Sequence, residues 1–115
     1  LSDARATVEA LKRRVLEFVR ERDWEQFHMP KDLAAAIAIE AAELQEIFLW
    51  KQDPMPNDVT RVREELADIF ILSFSLANRL DIDVSEAVEA KLEVNASKYP
   101  REVAKGKADK YTQYS

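Results

Sequence analysis

Apolar residues recur at helical spacing along most of the chain. From about residue 3 to 22, Val8, Leu11, Val15, Phe18 and Val19 fall on one face of a helix. Residues 23–30, DWEQFHMP, break that period and crowd Trp24, Phe27 and His28 into five positions. A second helix is predicted from about 31 to 51, rich in alanine and stopped by Asp53-Pro54-Met55-Pro56-Asn57. A third runs from about 58 to 80. After the Asp81-Ile82 link, Asp83-Val84-Ser85-Glu86 spells a capping box that opens a fourth helix. That helix reaches about Lys98, and Pro100 ends it. The remainder, about 99–115, reads as an extended tail. The prediction is an all-α, four-helix domain covering residues 1–115.

The third helix is apolar nearly all round, with Ile69, Leu72 and Leu76 on one side and Phe70, Ile71 and Phe74 on the others. So small a domain cannot bury every face of such a helix, and self-association to a homodimer or homotetramer is the expected remedy.

Composition narrows the chemistry. The 115 residues include one glycine, one histidine and no cysteine. Disulfide scaffolds, thiolate zinc sites, cysteine nucleophiles and glycine-built phosphate loops are thereby excluded. No apolar run approaches the roughly 20 residues that span a bilayer, and the start carries no basic-then-apolar signal segment. A cytoplasmic protein without a membrane partner is expected. The net charge of −5 is uneven: residues 91–115 hold six basic and three acidic side chains, leaving eleven basic against nineteen acidic elsewhere. An acidic body with a basic end does not suit nucleic acid. It suits a small polyanion held between cation-coated carboxylates and a few lysines.

Carboxylates stand where a core should be. At about 100° per residue, Leu33, Ile37, Leu44 and Ile47 all lie within about 60° of Glu40, and Glu43 borders the stripe. The third helix repeats the geometry, with Val62, Ile69, Leu72 and Leu76 around Glu65 and with Asp68 at the edge. Ionised carboxylates on an apolar face are expensive unless paired or metal-bound. Two i,i+3 acid pairs offer an oxygen-only donor set suited to Mg²⁺ or Mn²⁺, whereas a di-iron bundle would require Glu-x-x-His, which is absent.

With these residues in view, the sequence resembles the MazG-like all-α nucleoside triphosphate pyrophosphohydrolases, and within them the dCTP-type members. The resemblance rests on RDWEQFH (22–28), on Glu40-x-x-Glu43-Leu44-x-Glu46-x-Phe48-x-Trp50-Lys51, and on Glu64-Glu65-Leu66-x-Asp68. Lys91, Asn95, Tyr99-Pro100 and Lys110-Tyr111-Thr112 complete it. It implies Mg²⁺ (or Mn²⁺) held by Glu40, Glu43, Glu65 and Asp68, and a nucleoside pocket formed by Trp24, Glu25, Gln26, Phe27, His28 and Trp50. Lys91, Asn95, Lys98, Tyr99, Lys110 and Tyr111 are the expected phosphate contacts. The implied activity is hydrolysis of (deoxy)nucleoside triphosphates to monophosphate and pyrophosphate, cleansing the nucleotide pool. Val15 and Leu72 stand where vertebrate dCTP-type members carry a histidine and a tyrosine, which implies broader base tolerance. Two rival readings stay open: a related helical pyrophosphohydrolase acting on dUTP or phosphoribosyl-ATP, and a non-catalytic helical module whose acids bind a regulatory cation.

Overall fold

The computed structural model describes residues 1–52, 56–108 and 112, with the side chains of 56 and 57 left aside. All regular structure among them is helical: α1 (Val8–Glu21), a 3-10 turn (Glu25–Phe27), α2 (Pro30–Phe48), α3 (Pro56–Leu80), α4 (Val84–Lys98) and α5 (Arg101–Ala104). The chain forms two compact units, Leu1–Ile82 and Asp83–Ser115. No described helix is long and apolar enough to cross a membrane.

Helix α1 starts later than the periodicity predicts. Arg5 and Ala6 N–H groups both donate to the Ser2 carbonyl in a separate turn, and Thr7 is extended at ψ 159°. Thr7 Oγ1 then accepts from the Ala10 N–H at 3.0 Å and caps the helix. Helix α2 has Pro30 in its first turn, where a missing N–H costs nothing. It ends at Phe48, short of the expected Lys51, because Leu49 turns extended and Trp50 takes a left-handed φ of 66°.

Helices α2 and α3 pack along each other, and α1 lies against α3. Arg79 Nη2 donates to Met29 Sδ at 3.7 Å at one end of the α2–α3 hairpin, and Lys51 Nζ donates to Asp58 Oδ1 at 2.6 Å at the other. The two helices are therefore antiparallel. Asn78 Nδ2 donates to the Lys12 carbonyl at 3.0 Å, and Lys12 Nζ donates to the Ile82 carbonyl at 2.6 Å, tying α1 to the end of α3. Val19, Leu33, Ile47 and Ala77 form the buried core among the described residues. Leu66, Phe70 and Ile71 stay exposed on α3, the surplus apolar surface read from its sequence.

In the second unit, Asp83 Oδ1 accepts from the Glu86 N–H at 2.9 Å, which is the predicted cap of α4. The expected extended tail is corrected here. Pro100 closes α4 but also opens α5, its carbonyl accepting from the Val103 and Ala104 N–H groups, and Gly106 follows at φ 77°. Proline fits a helix start as well as it ends the previous one, so the stop signal was read correctly and its second use was missed.

Candidate functional site

The antiparallel register brings the acids of α2 level with those of α3 midway along the hairpin. Glu40, Glu43 and Glu65 each present a carboxylate oxygen, and the three oxygens lie within 4.8 Å of one another. Glu40 and Glu65 are half-buried and Glu43 is exposed. Asp68 stands one turn further along α3 on an exposed position, outside this group of three.

Among the described residues, none of the acids of this cluster forms a salt bridge. Glu40 Oε2 and Glu65 Oε2 are shut off from solvent without a hydrogen-bond partner among the described residues. The Glu40 carboxyl is pushed up from 4.5 to about 7, first by sharing a hydrogen with Glu65, then by burial and by the hydrogen bond and charge of Glu43. Crowded acids holding a proton near neutrality, with two oxygens unsatisfied and oxygen-only donors, fit a hard divalent cation such as Mg²⁺ or Mn²⁺.

A cavity of about 240 Å³ opens at the Met29–Arg79 end of the hairpin. Leu16 and Val19 of α1 supply its apolar wall, and Arg20, Glu25, His28, Ser75, Asn78 and Arg79 its polar one. Ser75 lies seven residues beyond Asp68 on α3, about 10 Å along the helix axis and on the same stripe. Of the predicted nucleoside contacts, His28 and Glu25 enter this cavity, with Glu25 paired to Arg20. Gln26 folds back onto Asp23, donating to its carbonyl at 3.0 Å and to Oδ2 at 3.1 Å. Trp24 meets Phe18 edge-on at 5.8 Å, and Phe27 is exposed. Trp50 is 93% exposed and stands at the far end of α2, whose 19 residues span about 28 Å. Within one chain Trp50 and the 24–28 segment therefore do not meet.

Lys91, Asn95 and Lys98 lie on α4 of the second unit. Asn95 and Lys98 are half-buried there, and the Asn95 carbonyl accepts from the Tyr99 N–H at 2.8 Å. Lys110 and Tyr111 lie outside the described residues. Val15 lines a second, mostly apolar cleft of about 210 Å³ with Arg14, Phe18 and Ile71. Sequence reasoning missed Ser75, Asn78 and Arg79. The available signal was a serine set on the packed side of an apolar run.

Residues 35–113 match the MazG-like family. The chain is 40% identical over 113 residues to dCTP pyrophosphatase 1 of Rattus norvegicus, a match covering 92% of this chain and 66% of that protein. The Homo sapiens dCTP pyrophosphatase 1 is 39% identical over 114 residues, covering 93% of this chain and 67% of the relative. The chain thus spans about two thirds of the length of these curated relatives. Among solved structures, it is similar to a pyrophosphatase from Archaeoglobus fulgidus, with a TM-score of 0.72 and 35% identity over 87% of this chain and 98% of that one.

Proposed function

The chain belongs to the MazG-like family, and from that premise we propose that it hydrolyses (deoxy)nucleoside triphosphates to monophosphate and pyrophosphate. The observation that carries this reading is the gathering of Glu40, Glu43 and Glu65 oxygens within 4.8 Å, two of the acids each keeping a buried oxygen unpartnered among the described residues. Glu40, Glu43 and Glu65, with Asp68 one turn on, hold a divalent cation on their oxygens. When bound, Mg²⁺ or Mn²⁺ neutralises the phosphate charge and polarises the phosphoryl oxygens.

The chain's own groups do the rest. Glu40 or Glu43 orients the attacking water and takes its proton. The water oxygen bonds to the α-phosphorus, the bond from that phosphorus to the α–β bridging oxygen breaks, and its electron pair leaves on pyrophosphate. The layout supports attack at the α position: the cavity lined by Glu25 and His28 lies about 10 Å along α3 from Asp68, room for a nucleoside beside the acids. Lys91, Asn95, Lys98, Tyr99, Lys110 and Tyr111 grip the departing phosphates. Deoxycytidine triphosphate is the first-choice substrate, supported by the dCTP pyrophosphatase relatives at about 40% identity. Val15 and Leu72, both apolar, widen base tolerance towards dATP or dTTP.

The protein acts as a homo-oligomer, a dimer of dimers. Exposed Leu66, Phe70 and Ile71 on α3 supply the contact surface, and a neighbouring copy brings Trp50 to the 24–28 segment that its own α2 holds about 28 Å away. Light scattering at micromolar concentration should give a multiple of the chain mass, and a monomer would contradict the shared pocket. Hydrolysis of dCTP in ¹⁸O-labelled water should place the label on dCMP. Orthophosphate released with dCDP remaining would overturn the mechanism.

A further inference from the structure

Ser75 is an anomaly within α3. A serine inside a helix ordinarily reaches solvent or bonds back to the carbonyl one turn earlier. Ser75 does neither: it is 7% exposed, and its Oγ is buried without a hydrogen-bond partner among the described residues. A desolvated hydroxyl left unpartnered is unfavourable, so a structural serine at this place would be better replaced by alanine. The same residue lines the cavity of about 240 Å³ between α1, the 3-10 turn and α3.

Ser75 lines this cavity, a turn about its Cα–Cβ bond brings the buried hydroxyl to the cavity surface, and the cavity's chemistry narrows what the hydroxyl meets there. Glu25 sits in the wall and takes up the charge of Arg20, so that pair is neutral, and Arg79 adds guanidinium donors to the lining. His28 and Asn78 add hydrogen-bonding groups, and Asn78 is pinned by its bond to the Lys12 carbonyl. Donors and acceptors facing an apolar wall match a planar heterocycle whose edge carries both kinds of group. The volume lies below the roughly 300–1,000 Å³ of pockets that swallow a whole ligand, so one ring enters and the rest stays outside. With the α-phosphate at the carboxylates and the sugar next to it, the group reaching about 10 Å past Asp68 is the base.

We propose that Ser75 is a specificity-determining residue whose Oγ hydrogen-bonds the polar edge of the substrate's base in this cavity. The inference rests on the triphosphate-hydrolase reading above.

The test compares kcat/KM for dCTP, dTTP, dATP and 2′,3′-dideoxy-CTP under Mg²⁺ in the wild type, Ser75→Ala and Ser75→Thr. The ratio between the best and worst base should shrink about tenfold in Ser75→Ala, the effect of one neutral hydrogen bond, and should be kept in Ser75→Thr, which retains the hydroxyl. The substrate-free Tm of Ser75→Ala should be equal to or above that of the wild type. Unchanged base ratios with a lowered Tm would make Ser75 structural and overturn the inference while leaving the hydrolase reading intact. A change confined to dCTP against its dideoxy analogue would assign the hydroxyl to the sugar and overturn the base assignment. A wild type that hydrolyses none of the four would overturn both.

Discussion

The α2–α3 hairpin buries carboxylates in two places and treats them oppositely. At its closed end Asp58 is 4% exposed and meets the Lys51 ammonium at 2.6 Å. Midway along, Glu40 and Glu65 each hide an oxygen, yet the neighbours around them are other acids, and Glu40 is driven up to about 7. The same hairpin thus supplies its own cation where the acid is structural and, among the described residues, pairs none with the place where three acids converge. A chain that needed only to satisfy the central acids had lysines and arginines to spare, 17 in all. The contrast marks the central cluster as built for a charge from outside.

The strongest way to break this comparison is to weaken the central acids. Glu43→Gln or Asp68→Asn preserves shape while removing a charge, so the fold should persist and Mg²⁺-dependent turnover should fall by about a hundredfold or more. Steady-state kinetics with product identification would check it, and near-normal turnover would remove those residues from the metal site. Lys51→Met tests the other end. It removes the Lys51 ammonium from Asp58, and because Lys51 is itself partly exposed the cost should sit below the usual buried-pair range, at about 2 kcal/mol of stability. Denaturant unfolding would measure that loss, and divalent-cation binding should be unaffected.

A smaller effect concerns pH. A carboxyl held above its ordinary value binds more protons in the folded chain than in the unfolded one. Its contribution is therefore fully present below about 4.5 and is lost as pH rises through about 7. In a chelator, the Tm should decline across that window. Mg²⁺ should flatten the decline, and Glu40→Gln should remove it.

Much of this is legible in the sequence. The Asp83 cap, the Pro100 stop and the long α3 follow from local chemistry that needs no partner. Glu40 and Glu65, which the fold brings together, stand out in the sequence because an acid at the centre of an apolar stripe contradicts the pattern around it. What escaped depends on contacts distant in sequence or on unusual backbone. The Lys51–Asp58 pair exists only once the hairpin closes, and nothing in the DPMPN spelling announces it. Ser75 gains meaning from the helix α1 laid against it. Trp50 at φ 66° has no sequence signal, since a bulky residue seldom adopts that conformation. The α5 turn was hidden because proline serves both as a stop and as a start.

Calorimetric titration of Mn²⁺ or Mg²⁺ into the metal-free protein near pH 7, repeated in buffers of different ionisation enthalpy, tests the central claim most directly. Cation binding should displace the proton that Glu40 holds at about 7. The account therefore predicts saturable binding with proton release, strongly weakened in Glu43→Gln and free of proton release in Glu40→Gln. Absent binding, or binding equally tight in Glu43→Gln, would contradict the assignment of these acids to a metal.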